Sequence, residues 1–206
     1  YQMVRQLVDK FKEWKNSTFI GYNSINFDEE FLRRTLFKNL EYPYLTNTNG
    51  NSRLDILLMM HNVAAFFPNL LNIPLHDGGP GISLKQEHIA AANGIEIADA
   101  HDAIGDCKLM IALMSIIDAK KPELIDFFLN ISSKVGVQAA VQEPGFLGLG
   151  EVFKRKVFTY PVVPCGSKAP NDLLFFDLSF EPEEIFDLDT QEIYSLVQKP
   201  SKSGPF

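Results

Sequence analysis

Two aspartates, each opening a stretch patterned as a helix, carry the chemistry this sequence can do. Asp28 stands in Gly21-Tyr-Asn-Ser-Ile-Asn-Phe-Asp28-Glu-Glu and Asp106 in His101-Asp-Ala-Ile-Gly-Asp106, so a histidine lies five residues before the second acid. At about 100° per residue, Asp106 shares a stripe with Met110, Leu113 and Ile117. Asp28 shares one with Phe31, Leu32 and Leu36 by the same spacing. A carboxylate turned toward an apolar face must be paired, hydrogen-bonded or bound to a cation, because an isolated buried charge costs too much. No Lys or Arg shares either stripe in the same turn, so a divalent metal is the leading expectation. Carboxylate oxygens suit hard Mg²⁺. Each aspartate also has a plainer reading: Asp106 as an acid favoured by its helix dipole, Asp28 as an N-cap after Phe27. His101, with an unperturbed pKa near 6.5, is suited to take a proton from water, and the positive helix end favours its neutral form. His61, His76 and His88 have no partner at ligand spacing and read as structural or surface residues.

The elements that must position these groups alternate. Residues 2–15 read as an amphipathic helix, 17–21 as a short strand and 28–39 as a helix. After a loop over 42–51, a strand at 53–57 passes directly into a helix ending near 67. Residues 68–82 form a long connection containing Asp77-Gly-Gly-Pro-Gly81. Ser83, with Gln86 three residues on, reads as a helix cap, and Asn93-Gly94 as that helix's left-handed end. The helix from about 101 to 119 is broken by Lys120-Lys-Pro122, and two shorter helices follow at 122–131 and 133–141. Past Glu143-Pro-Gly145 the pattern changes to strand-like runs at 152–160 and 173–178. A domain boundary is therefore expected near 145, separating an α/β part (1–144) from a β-rich part (145–206).

Composition sets outer bounds. Apolar residues make up 46% of the 206 and include 17 Phe, enough for a substantial core. A net charge of −7 means that any contact with nucleic acid must come from local basic groups. No run of roughly 18 apolar residues is present, so no membrane span is expected. No signal peptide is visible. Cys107, in an apolar helix, and Cys165, in a loop, form no disulfide framework, and a reducing cytoplasm is the simplest setting. The chain lacks an initiator Met and opens inside a helix, as a piece of a longer protein would.

The segments around Asp28 and His101–Asp106 resemble the second and third motifs of the DEDD-type (DnaQ-like) 3′–5′ exonucleases, in the subfamily that uses histidine. Tyr42-Pro-Tyr, Asn51-Ser-Arg-Leu-Asp55 and Ala92-Asn-Gly-Ile-Glu96 resemble a bacterial member, and the tail from about 145 resembles the start of its SH3-like module. The resemblance covers nearly the whole chain. It implies an RNase H-like exonuclease domain followed by the beginning of an SH3-like module, and hydrolysis of single-stranded DNA to 5′-mononucleotides in repair or recombination. It makes Asp28 and Asp106 metal carboxylates and His101 the general base, with two Mg²⁺ ions about 4 Å apart, Mn²⁺ being an alternative. The family's first motif is an Asp-x-Glu on the sheet's first strand. No matching strand is present, since Asp9 and Glu13 both fall in the opening helix. The segment alone is therefore expected to bind metal weakly and to be inactive, the parent protein being the nuclease.

For DNA, the partner the resemblance implies, the candidates are Tyr22 and Asn23 beside the 3′-terminal nucleotide, Arg53 at a phosphate, and Lys154-Arg155-Lys156 along the backbone. Phe27 is a stacking candidate with core packing favoured, and Arg53 is as well explained by an ion pair. Single-strand-binding protein is a second candidate partner. Two other functions stay open: a non-catalytic nucleic-acid-binding module on a nuclease fold, and an RNA-trimming or proofreading relative.

Overall fold

The computed structural model describes residues 1–96, 102–143, 145–169 and 172–198. Its first part is built around one parallel strand pair. Helix α1 (Gln2–Glu13) leads into β1 (Thr18–Gly21), and α2 (Asp28–Lys38) leads by a loop to β2 (Ser52–Asp55). Parallel neighbours need a crossover connection, and α2 with its loop supplies it. The register runs from Thr18 opposite Ser52 to Gly21 opposite Asp55, so both strands end at the same level. In open α/β sheets that carboxyl end is where ligands bind.

Strand β2 runs without a break into α3 (Ile56–Phe66), because Asp55 is both the last strand residue and the helix N-cap. Helix α3 is apolar nearly all round, which suits an element covered on several sides. Its Ile56, Met59, Met60 and Val63 are fully buried. They pack with Ile89 of α4 (Gln86–Ala92), Leu113 and Ile117 of α5 (Ala103–Lys120), and Leu124 and Phe128 of α6 (Pro122–Ile131). Helix α7 (Lys134–Gln142) follows. A smaller core joins Val4 and Val8 of α1 to Leu36 of α2 and Leu45.

The second part is an antiparallel sheet in the order β3 (Leu147–Phe153), β4 (Lys156–Ala169), β5 (Asp172–Asp177), followed by α8 (Glu183–Phe186) and α9 (Thr190–Gln198). It lies on α3. A Cβ at Gly148 would stand 2.9 Å from the Phe66 ring, and one at Gly150 2.7 Å from the Ala65 Cβ. The alternating glycines thus let β3 approach the helix. Its free edge is satisfied by α3 side chains: Gly150 N–H donates to Asn62 Oδ1 at 3.2 Å, and Val152 N–H to His61 Nδ1 at 3.3 Å.

The expected α/β class with a β-rich tail is present, and most expected helices and strands appear within a few residues. Several details differ. The run at 152–160 is not one strand, because the chain turns at Lys154 and Arg155 with φ of 47° and 67°. That is the backbone of a tight hairpin, built without the usual Asn-Gly. Ser83 does not cap α4, whose N-cap is Lys85. Its hydroxyl instead meets His88 Nδ1 at 2.8 Å. The Asn93-Gly94 end is as expected: Gly94 has φ 73°, and Ile95 N–H reaches back to Ala90 O at 3.0 Å. Cys165 lies in β4 rather than in a loop, and it and Cys107 are free thiols. Among the described residues no single helix is long and apolar enough to cross a membrane.

Candidate active site

Asp28 and Asp106 meet at one cavity. Asp28 is the first residue of α2 and Asp106 lies in the first turn of α5. Both line an open cavity of about 460 Å³, with Gly21 and Tyr22 at the end of β1, Glu29 on α2, and Gln86 at the start of α4. Two helix N-termini and the carboxyl end of a strand therefore converge there. Such ends carry partial positive charge and unpaired N–H groups, which favour acids and bound anions. Neither helix has a side-chain cap bond at its start. Gln86 fixes one wall, its amide Nε2 donating to the Asp106 carbonyl at 2.6 Å.

The inward burial expected for the two acids is not what the fold does. Leu113 and Ile117 on the Asp106 stripe are fully buried, but Asp106 itself is exposed, at the cavity end of that stripe. Asp28 is exposed too, and of its stripe only Leu36 is buried while Phe31 is 72% exposed. Solvated carboxylates facing an open cavity need no partner to exist. Their convergence, not a desolvation cost, is the reason to assign them chemistry.

The other candidates divide. Tyr22 packs against the main core, and its hydroxyl donates to the Leu84 carbonyl. Burial first, then the negative charges of Asp55 and Glu87, pushes that hydroxyl's pKa up. Its ring is a wall, not an open stacking platform. Asn23 is exposed, with a left-handed φ of 56°. Phe27, for which core packing was favoured, is 70% exposed beside Asp28. Arg53 pairs with Glu29 at 3.4 Å, and Thr46 donates to the same Glu29 oxygen at 2.6 Å, so the ion-pair reading of Arg53 is the one seen. Lys154, Arg155 and Lys156 are exposed at the β3–β4 turn, away from the cavity lining. That turn docks on the glycine-rich connection, Arg155 O accepting from Ile82 N–H at 2.9 Å. His101 lies outside the described residues. His61 and His88 hold the structural bonds given above.

One acid in the neighbourhood was not singled out by sequence. Asp55 is 3% exposed. Its Oδ1 accepts from Asn23 N–H at 2.7 Å and Leu57 N–H at 3.0 Å, and its Oδ2 from Ile25 N–H at 3.1 Å. The available signal was an Asp between a strand and an apolar helix, which announces the cap but not the two loop donors.

Among the described residues no three His, Cys, Asp or Glu side chains converge as a metal cluster. The acids lining the cavity, Asp28, Glu29 and Asp106, offer oxygen donors only. That donor chemistry fits Mg²⁺, which keeps several waters and often takes only one or two carboxylates plus substrate phosphate oxygens.

No protein-family model matches the chain. It is similar to exodeoxyribonuclease I of Escherichia coli (strain K12), 34% identical over 126 residues that make up 61% of this chain and 26% of that protein. The exodeoxyribonuclease I of Buchnera aphidicola subsp. Acyrthosiphon pisum is 36% identical over 135 residues, 65% of this chain and 32% of the relative. The chain thus spans roughly a quarter to a third of the length of these curated relatives. Among solved structures, a moderately thermophilic exonuclease I from Methylocaldum szegediense superposes with a TM-score of 0.78 at 27% identity, covering 99% of this chain and 44% of that one. E. coli exonuclease I in complex with a dA16 oligonucleotide gives a TM-score of 0.74 at 25% identity, covering 98% and 44%. An ExoI/SSB-Ct complex shares the fold at a TM-score of 0.73 and 23% identity, covering 98% and 45%.

Proposed function

We propose that this chain, a relative of exodeoxyribonuclease I in sequence and fold, is part of a metal-dependent exonuclease that shortens single-stranded DNA from its 3′ end to 5′-mononucleotides. The observation that carries the reading is the convergence of Asp28 and Asp106 on one cavity at the carboxyl end of β1. In this reading residues 1–144 are the nuclease part and 145–206 the beginning of an SH3-like module.

Asp28 and Asp106 would hold Mg²⁺, or Mn²⁺ in its place. When bound, the cation neutralises the scissile phosphate and lowers the pKa of water. The chain's own residues do the rest. His101, five residues before Asp106, takes the proton from the attacking water. The new P–O bond forms as the bond to the 3′ oxygen of the preceding nucleotide breaks, and that oxygen takes a proton from solvent and leaves as a hydroxyl. The N-termini of α2 and α5 aim N–H dipoles at the negative phosphate. Exposed Phe27 offers a face on which the terminal base can stack. Lys154, Arg155 and Lys156 follow the DNA backbone further off. Single-strand-binding protein is the second partner, supported by the fold shared with the ExoI/SSB-Ct complex.

The test is made in the polypeptide that carries this chain. Asp106→Asn and Asp28→Asn each lower Mg²⁺-dependent mononucleotide release from a single-stranded DNA oligomer by at least about 10²-fold. Circular dichroism stays unchanged, since both side chains are exposed. Undiminished rates remove the acids from the reaction. An RNA oligomer cut as fast as DNA gives the RNA-trimming reading instead, and binding without cutting by the unaltered protein gives the binding-module reading.

A further inference from the structure

We infer that Asp55 is the positioning residue of this site, a buried carboxylate that sets where Asp28 stands. The inference rests on Asp28 being a metal carboxylate. Six residues separate the end of β1 at Gly21 from the start of α2 at Asp28. The path between them is unusual. Asn23 takes a left-handed φ of 56°, and a Cβ at Gly21 would stand 2.4 Å from the Ser24 Cβ, so the chain doubles back on itself. A turn of this kind leaves its N–H groups without a ladder partner.

Asp55 supplies the partner. It sits beside Gly21 across the parallel pair and takes the N–H groups of both Asn23 and Ile25. The Ser24 carbonyl then accepts from Phe27 and Glu29 N–H, at 3.3 and 2.8 Å, which carries the constraint into the first turn of α2. Asp28 is thereby tied to β2 through the Asp55 carboxylate and the loop backbone. The same Asp55 carboxylate caps α3 through Leu57 N–H at 3.0 Å. One side chain thus joins the core helix to the loop that presents the metal acid. Its charge is met by N–H dipoles and the α3 N-terminus. Groups behind a metal ligand that orient it in this way commonly change metal affinity about 10–100-fold when removed.

The two roles of Asp55 can be separated. In Asp55→Ser the hydroxyl still caps α3, because Ser is a good N-cap, but it is too short to span both loop donors. The measurements are amide hydrogen exchange and Mn²⁺ paramagnetic broadening of the Asp28 amide, both by NMR on the 206-residue chain. In Asp55→Ser the Asn23 and Ile25 amides exchange at least tenfold faster, the Leu57 amide keeps its protection, and the Mn²⁺ concentration for half-broadening rises about tenfold. Asp28→Asn loses the broadening but keeps the Asn23 and Ile25 protection. If Asp55→Ser does not fold, Asp55→Asn retains the Oδ1 acceptor and loses Ile25 protection while keeping that of Asn23. Unchanged loop protection in these variants overturns the inference. So does exposure of the loop with Mn²⁺ broadening unaltered. Absence of broadening in the unaltered chain instead defeats the metal reading of Asp28, and the exchange data then stand as the test of the clamp.

Discussion

Asp28 and Asp106 are cheap to keep and informative because of where they are. Each is solvated and lies in the first turn of a helix, where the dipole favours a negative charge by a few tenths to about 1 kcal/mol. Asp55 is the opposite case, an acid buried to 3% exposure that would cost several kcal/mol if its oxygens were left empty. Sequence pattern does not separate the two cases: Asp28 and Asp106 read as acids at helix starts and Asp55 as part of a strand, and neither reading carries burial. Phe27 shows the same limit: an aromatic before a helix reads as core, and here it is 70% exposed. Its exposure gives a prediction at this scale. Phe27→Ala weakens single-stranded DNA binding between roughly fivefold and a hundredfold, the weight of one base–aromatic stack. The thermal midpoint is unchanged. Fluorescence anisotropy with a labelled oligomer checks the first and calorimetry the second; unaltered affinity assigns the ring another role.

Among the elements, the contact of α3 with β3 joins the two parts of the chain. An edge strand needs its outward N–H groups met, and here helix side chains meet them. His61 makes this junction sensitive to pH. Burial lowers its pKa, against the smaller opposing pull of Glu151 and Asp55. A histidine whose folded pKa lies below its unfolded value near 6.5 stabilises the fold fully above 6.5. That stability falls as pH drops through 6.5 toward the folded value, because the unfolded chain then binds more protons. Protonated Nδ1 can no longer accept from Val152. The Val152 amide, corrected for its intrinsic rate, therefore exchanges faster as pH falls from about 7.5 through the folded His61 value, by about fivefold once the ring is protonated, the weight of one hydrogen bond near 1 kcal/mol. His61→Leu removes the pH dependence. A pH-independent Val152 rate in the unaltered chain excludes this role for His61. The helices themselves were legible: α5, α6 and α7 follow from their apolar spacing and from Pro122. The β3–β4 turn was not, because Lys154-Arg155 carries no glycine or asparagine. Its left-handed backbone is held by strand pairing on either side and by the Ile82 bond.

For the whole molecule, the cavity is a product of how α2, α4 and α5 pack around the end of β1. Among the described residues it offers Asp28 and Asp106 as free carboxylates, while Glu29 is engaged by Thr46 and Arg53. Oxygen sites with few charged ligands sit at the weak end of cation affinity, so the 206-residue chain binds Mg²⁺ with a Kd of roughly 10⁻³ M or weaker. Isothermal titration checks this, and micromolar binding would mean that further donors reach the cavity.

The sequence by itself determined most helices and strands of the first part and that an acid stands at the head of α2 and of α5, since both facts are written in local spacing. It also carried the nuclease resemblance, because that is a matter of ordered short motifs. Only the tertiary structure decided that the two acids share one cavity, that Asp55 is buried beneath the loop before Asp28, and that His61 and Asn62 close the edge of β3. Each of these joins residues far apart in the chain. Burial and hydrogen-bond partnership across such separations come from packing, which no local period encodes.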